Sequence, residues 1–598
     1  MCGIFGFFLN RPLDESEIKN GIAATKKLSH RGPDNTDYWW DADSGIFFGH
    51  TRLKIIDTTD DSNQPFSKKG AYLVYNGEVY NYISLRKKLS KSGSIFRTNG
   101  DTEVLFELLH THGTSLLSEI DGMFSFAYYQ DSVLTLAVDH FGEKPLYWYE
   151  SKQGVYFSSE PKPLVEMLNV CITKDQDIAS SFLLLGFVPG PSTAYNGLKK
   201  IEPATILKIE NGRVSKKFSY WSIPEQFMGK GKVSKVSESV LDDISDILLH
   251  SLRRRIRADV PVGLFLSSGV DSTLIGALLK KELYNDDVHA LTVSYSKGTD
   301  QDESFGATAI ANYLGIRHTI IDSSLDQSDY TIERLHNIFG EPNSGITALS
   351  VQQMSFVAKK YFTVALTGTG ADEIFFGYGK YKFLHKYRYI LINNLISYLF
   401  SFMDIGDANF LKRFKTLASL LSVDSNDILL ALKGTPFFSN KKIYPNFKGM
   451  GSNWYSDLNS KNLVKQQRDF DLKIQLPDYI IPIIERPSMS AGLEVRSPFL
   501  SKDFIEYVSN IDYRVLFKSR QKDVLRKIVE RYLPLHLVDH PKKGFSVPGN
   551  ALIANTDFNC EAELKHVISN WEGDKQWGKY LTRLLIKKYY FDRSGSLN

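Results

Sequence analysis

The sequence predicts two domains in series. The first is an α+β domain of stacked antiparallel sheets. The second is an α/β doubly wound domain on a parallel sheet, with a helical C-terminal part. Three observations lead there. The chain has 598 residues, and single hydrophobic cores stop growing near roughly 250–300 residues. The first two hundred or so residues hold short β-type runs punctuated by turn residues, as stacked sheets require. From about Lys235 strands alternate with helices, the pattern of a parallel sheet covered on both faces.

Within the first domain, taken as residues 2–200, the expected strands are Gly3–Leu9, Ile46–His50, Ala71–Tyr75, Phe124–Tyr129, Val133–Asp139 and Val155–Ser159. Helical patterns lie at Ser16–Leu28 and Thr102–Thr111. Gly186–Pro203 is rich in Gly and Pro and reads as the passage between domains, with a linker over 201–234. In the second domain, 235–548, a helix Ser237–Arg257 precedes a strand Val260–Leu266 and a helix Thr273–Leu283. Further strands follow at Ala290–Tyr295, His318–Asp322 and Thr363–Thr367, with a helix at Glu303–Leu314. From Tyr381 the reading is mostly helical. The tail, 549–598, reads as an amphipathic helix facing solvent.

Apolar residues make up 42% of the chain and charged residues 23%, with a net charge of +4. That balance gives no reason to expect nucleic acid or a membrane surface as partner. Tyr389–Met403 is apolar but too short and too interrupted to span a bilayer, so a buried helix is expected. Three cysteines, Cys2, Cys171 and Cys560, form no metal-ligand spacing. They read as a reduced, cytoplasmic protein. The start, MCGIFGFFLN, has no basic segment or cleavage site, so no leader is expected.

Cys2 followed by Gly3 is a poor structural choice and a good chemical one. If Met1 is removed, which a small second residue favours, Cys2 carries a thiol and a free α-amine. That amine ordinarily titrates at roughly 7.7–8.0 and can act as general base for its own side chain. Taken alone, Cys2 is equally readable as an incidental residue.

Its surroundings change the reading. HRGPD (30–34), GHTRLKIID (49–57), YNGEVYNY (75–82), NGDTEVLFELL (99–109), DGMFSFAYY (121–129) and FGEKPLYW (141–148) together resemble the class II glutamine amidotransferase domain. The resemblance implies an αββα sandwich of the N-terminal nucleophile hydrolases. It implies that Arg52 holds the glutamine α-carboxylate by a two-pronged contact. Glu78 and Asp101 would accept from its α-ammonium. Asn76 and Gly77 would supply oxyanion donors. Each has a plain alternative, since Asn-Gly is a common turn pair and a lone Arg or Asp is usually a solvated charge.

LFLSSGVDS (264–272) follows an apolar strand and opens a helix. Small residues there let backbone N–H groups cradle phosphate at a helix N-terminus, although a tight βα turn would look the same. There is no GxxxxGK[ST], so it is not a P-loop. It resembles the pyrophosphate loop SGGxDS of ATP-pyrophosphatases, with Ser268 in place of the first Gly. Ser267, Ser268, Gly269 and Ser272 would then bind ATP. Asp271, with Asp372 from TGTGADEIFFGY (367–378), would hold Mg²⁺. The remaining motifs, RADVPVGLFLSSGVDS, FGEP, VALTGTGADEIFFGY, LPDYIIPIIERPSMSAGLEVRSPFL, QKDVLRKIVERYLP and HPKKGF, resemble the synthetase domain of asparagine synthetases. By that resemblance Leu266, Val293 and Gly368 line the adenosine pocket, and Lys522 stabilises charge on the transferring groups.

The mechanism implied is sequential. A carboxylate acceptor is activated by ATP as an acyl-adenylate. Ammonia freed at Cys2 crosses an internal passage and displaces AMP to give an amide. Two departures bear on the acceptor. Thr369 stands where the family has a carboxylate between two glycines, and threonine is not a useful base at neutral pH. Glu485 stands where the family often has Asp, before Arg486. Aspartate is therefore the acceptor by family precedent, and the uronic acid of a sugar nucleotide or glycan is the alternative. A bare glutaminase, or a non-catalytic sensor of glutamine or nucleotide, are the readings from other classes. The partners expected are small molecules, and a homodimer is an open assembly on which the motifs are silent.

Overall fold

The computed structural model describes residues 2–224, 232–284, 287–294, 303–322, 329–382, 384–385, 463–516, 520–538 and 575–592. The apolar stretch 389–403 and the HPKKGF motif lie outside them.

The N-terminal strands are β1 (Gly3–Leu9), β2 (Asn35–Asp41), β3 (Ile46–Arg52), β4 (Phe66–Lys68), β5 (Ala71–Val79), β6 (Gly122–Gln130), β7 (Val133–Val138), β8 (Tyr147–Glu150), β9 (Gly154–Ser158), β10 (Leu198–Lys200), β11 (Thr205–Glu210) and β12 (Arg213–Ser219). They form two six-stranded antiparallel sheets, ordered β10-β8-β9-β1-β3-β2 and β12-β11-β7-β6-β5-β4. β1 is buried at every residue, so both its faces must be covered. Ile4 and Phe8 point into a core shared with Val74, Ala127 and Leu136 of the second sheet. Phe5, Phe7 and Leu9 point the other way, into a core with Ala24 and Leu28 of the helix Glu15–Lys26 and the turn after it. On the far side, Val104, Leu105 and Leu108 of the helix Asp101–His112 pack on Phe124 and Phe126 of β6. Helix, sheet, sheet and helix thus stack as an αββα sandwich.

The expected linker over 201–234 is shorter than the sequence suggested. β11 and β12 occupy 205–219, and β11 pairs with β7, Ile206 opposite Ala137. Ile206, Leu207 and Ile209 are buried, which ties the segment into the sandwich.

The second body is built on β13 (Val262–Phe265), β14 (His289–Ser294), β15 (Arg317–Asp322), β16 (Val364–Leu366) and β17 (Glu494–Arg496). The order is β15-β14-β13-β16-β17 and every pairing is parallel. The order turns at β13, so the crevice between the C-terminal ends of β13 and β16 is the place where such sheets bind ligands. The helices Glu238–Arg255 and Val270–Lys281 pack beside it, the first capped by Ser237.

The tail helix Lys575–Phe591 does not face solvent. Leu581, Leu584, Leu585, Ile586 and Tyr590 are buried with Phe182 and Leu183 of the helix Gln176–Leu185. Buried Arg583 donates to the carbonyls of Leu183 and Leu184. The alternation of apolar and basic residues showed the amphipathic helix but not its partner, 400 residues away in sequence.

Candidate active site

Cys2 lies one residue before β1, in the first sheet, and Asn76 and Gly77 sit on β5, in the second. Stacking the sheets brings them together. The Cys2 main-chain nitrogen donates to Asn76 Oδ1 at 3.0 Å. This turns the amide so that Nδ2 is left buried with no hydrogen-bond partner among the described residues. A buried donor in that condition is costly and is available to an acceptor on a ligand. Gly77 has φ +149°, and a Cβ there would lie 2.0 Å from the Met123 carbonyl oxygen, so only glycine lets β5 approach β6 in this way. Gly3 is likewise enforced, since a Cβ would meet Thr51 Oγ1 at 2.6 Å. The Cys2 side chain is buried, and burial pushes its thiol up, against the pull of a backbone hydrogen bond from Leu53 and of Arg52.

Arg52 is 4% exposed. Its guanidinium donates to the Thr59 carbonyl at 2.7 Å, to Asn63 Oδ1 at 2.8 Å and to the Asp57 carbonyl. Of the five guanidinium donors, these bonds leave Nε–H and one Nη2–H, while fixing the plane of the group. Asp101 stands at the start of its helix; its Oδ2 accepts from the Tyr75 hydroxyl and the Val79 N–H, both at 2.8 Å. Glu78 is buried, and burial with neighbouring Asp101 holds its carboxyl well above the usual range. It faces Arg496 of β17 at 3.4 Å. Arg496 also bonds Glu494 Oε1 at 2.6 Å. Neither Arg496 nor Glu494 is among the site residues expected from the sequence, although both lie within GLEVRSPFL (492–500).

The second site is a cavity of about 350 Å³ at the turn in strand order. The loop after β13, Leu266, Ser267, Ser268 and Gly269, forms one wall, and the helix beginning at Val270 rises from it. Ser272 Oγ accepts from the Ser267 N–H at 3.0 Å, and Ser267 Oγ from the Gly269 N–H at 3.1 Å, so the loop is held by its own hydroxyls. Ser268 fits where the related motif has glycine because Gly306 faces it; a Cβ there would come within 2.8 Å of Ser268 Cβ. Val293 and Gly368 line the same cavity. Lys522 bridges the two carboxylates, 2.5 Å from Asp271 and 2.6 Å from Asp372. Burial opposes its charge, but the carboxylates hold its ammonium above the usual value. A Cβ at Gly377 would lie 1.8 Å from Asp372 Oδ1 and 2.4 Å from Lys522 Cε, so that glycine makes room for the cluster. The backbone of Lys522 is left-handed, φ +54°, an arrangement a site can impose at a cost.

A contact chain links the two sites. Arg31, fully buried, donates from Nε to the Cys2 carbonyl at 3.1 Å and pairs through Nη2 with Glu485. Glu485 lines a second, smaller cavity of about 20 Å³, together with Glu143, Lys144 and Ser497. Thr367 and Thr369 line both cavities. Their hydroxyls lie 3.0 Å apart. Glu485 lines the smaller cavity and not the larger one. Arg31 claims it, and Arg31 and Arg486 hold its carboxyl below the usual range despite burial. This contact joins residues 454 apart in sequence, which no spacing rule reveals. Among the described residues no three His, Cys, Asp or Glu side chains cluster as metal ligands, and no helix is long and apolar enough to cross a membrane.

An N-terminal cysteine in an αββα sandwich, joined to a parallel sheet with a phosphate-type loop, defines an amidotransferase coupled to a ligase domain. Residues 1–221 match the family model for a glutamine amidotransferase domain, and residues 243–565 match that for asparagine synthase. The chain belongs to the asparagine synthase family and is a glutamine-dependent carbon–nitrogen ligase. It is 30% identical over 584 residues to asparagine synthetase [glutamine-hydrolyzing] 1 of Bacillus subtilis, covering 92% of this chain and 87% of that protein. It is 26% identical to asparagine synthetase [glutamine-hydrolyzing] 3 of the same organism, over 89% of this chain and 85% of the relative. A third relative, at 24% identity over 92% of this chain and 89% of its own length, is amidase chry2 of Gibberella zeae.

Proposed function

We propose that the chain hydrolyses glutamine at Cys2 and delivers the ammonia to a carboxylate activated by ATP, giving an amide, AMP and pyrophosphate. The observation that carries this reading is the chain Cys2–Arg31–Glu485, which runs from the nucleophile's backbone to a cavity sharing Thr369 with the nucleotide site.

In this reading the Cys2 thiol attacks the glutamine carboxamide after its own α-amine, exposed by removal of Met1, takes the thiol proton. Asn76 Nδ2 and the Gly77 N–H stabilise the oxyanion. The two remaining Arg52 donors hold the α-carboxylate, and Glu78 with Asp101 accepts from the α-ammonium. The thioester is then hydrolysed to glutamate. Enclosing the passage keeps ammonia unprotonated.

At the second site Leu266, Val293 and Gly368 would take the adenosine, and Ser267, Ser268, Gly269 and Ser272 the phosphates. The all-oxygen pair Asp271 and Asp372 suits Mg²⁺, which is commonly held by one or two carboxylates plus phosphate. When bound, Mg²⁺ would neutralise charge on the phosphates. Lys522, already between these carboxylates, would move its charge onto the leaving pyrophosphate.

Aspartate is the acceptor by family precedent. A uronic acid of a sugar nucleotide or glycan is the second reading, favoured by Thr369 at the mouth of the passage. Incubation with ATP, Mg²⁺ and amide-15N glutamine, offering aspartate or uronic-acid sugars, separates them. Efficient 15N transfer to aspartate sinks the alternative; transfer to the uronic acid alone sinks aspartate. AMP formation with neither, alongside glutamine hydrolysis, would return the chain to a bare glutaminase.

A further inference from the structure

Ammonia attack on an acyl carbon leaves a protonated nitrogen, and one proton must leave as the C–N bond forms. Thr369 offers only a hydroxyl, already within hydrogen-bonding distance of Thr367. The carboxylates that line the two cavities are Asp271, Glu303, Asp372 and Glu373 on the nucleotide side and Glu143 and Glu485 on the passage side. Asp271 and Asp372 are paired with Lys522. Glu303 is only partly buried and has an interaction of its own, Glu373 accepts from the Tyr378 hydroxyl, and Glu485 is held by Arg31.

Glu143 differs. It is 5% exposed, and its Oε1 is buried with no hydrogen-bond partner among the described residues. It belongs to the first domain, in the turn FGEKP, where Asp139 accepts from the backbone N–H groups of Phe141, Glu143 and Lys144 and so fixes its direction. The cavity it lines, about 20 Å³, is large enough for one molecule the size of water or ammonia.

We propose that Glu143 is the proton acceptor of the amide-forming step, reaching across the domain boundary to supply the base that Thr369 cannot. The inference rests on the ligase reading above. The ammonia nitrogen forms a bond to the acyl carbon, the carbon–oxygen bond to AMP breaks, and AMP leaves with that electron pair. The proton lost from nitrogen goes to Glu143 and then to solvent. Burial, together with Asp139, raises the Glu143 carboxyl to about 8, against the pull of Arg255 and Lys144, and a base is most effective when its pKa lies near the working pH.

The test uses the full chain, with ATP, Mg²⁺ and either aspartate or glucuronate. Hydroxylamine, a nucleophile that is neutral at pH 7, traps the adenylate as hydroxamate without needing a strong base. Glu143→Gln should keep hydroxamate formation and glutamine hydrolysis within about twofold of wild type. Its amide formation, from glutamine or ammonium, should fall by about 10²-fold or more. Glu143→Asp should recover most of the loss, as should Thr369→Glu combined with Glu143→Gln. Amide formation within twofold of wild type in Glu143→Gln, or an Asp variant as slow as the Gln variant, overturns the role of Glu143 alone. A wild type that makes no hydroxamate with either acceptor overturns the ligase reading and this proposal with it.

Discussion

Arg496, on a strand of the second domain, lies 3.4 Å from Glu78 of the first. The arginine is fully buried and is also bonded to Glu494. One cation of the ligase half thus faces Glu494 of its own strand and Glu78 of the amidotransferase half. Removing it takes this positive charge away from two buried carboxylates. Arg496→Met is expected to destabilise the protein by about 3–5 kcal/mol and to raise KM for glutamine. Urea unfolding and glutaminase kinetics check this; an unchanged KM would show that Glu78 does not meet the substrate.

Gly77→Ala tests the proposed oxyanion role of the Gly77 backbone. At φ +149°, with a Cβ driven to 2.0 Å from the Met123 carbonyl, strand β5 must shift. The expected result is a loss of about 10²-fold or more in glutamine-dependent kcat, with ammonium-dependent synthesis spared. Equal loss with both nitrogen sources would place the damage in the fold instead.

Much of this was legible in the sequence. The first sandwich strand, Gly3–Leu9, is found at its expected bounds. Strands β13 to β16 lie within a few residues of theirs, because apolar runs report local burial directly; β17 (Glu494–Arg496) was missed, since a three-residue strand holding Glu and Arg leaves no apolar run in a stretch read as helical. Cys2 and Asn76, expected together from the resemblance, are in contact, and Arg52, Glu78 and Asp101 are buried in the same domain. What the sequence hid was pairing at a distance. Arg31 with Glu485, Arg496 with Glu78 and Arg583 with the Leu183 carbonyl join elements whose separation leaves no periodic trace. The extra sandwich strands β11 and β12 were hidden for another reason, as Lys208 and Lys216–Lys217 dilute their β pattern.

The domain boundary carries a pH signature. Asp121 is buried, which would raise its carboxyl, but Arg255 and Arg254 of the second domain hold it below its ordinary 3.8. A carboxyl lowered on folding contributes stability that is present above its unfolded value and is lost as the pH falls through its folded value. The difference in Tm between wild type and Asp121→Asn should therefore be full at pH 6 and 5. It should shrink below about pH 4, as scanning calorimetry at stepped pH would read. A difference that stays constant down to pH 3.5 would contradict the pairing.

The tail helix is structural. Ending the chain after Asp574 removes Leu581, Leu584, Leu585, Ile586 and Tyr590 from the core they share with Phe182 and Leu183. Each fully buried apolar side chain is worth about 1.5–3 kcal/mol, so a lowered Tm and exposed apolar surface, seen by dye binding, are expected. Unchanged melting would return the helix to the role of a solvated appendage.

The proposed function divides the labour between Cys2 and a separate synthetase site. Its most direct test is Cys2→Ala in the full chain, with AMP release followed using glutamine and, separately, ammonium as nitrogen source. The prediction is that glutamine-dependent AMP release falls to background while the ammonium-dependent rate stays within about twofold of wild type, since Cys2 chemistry ends once ammonia is free. Glutamine-dependent AMP release that survives the substitution would contradict it.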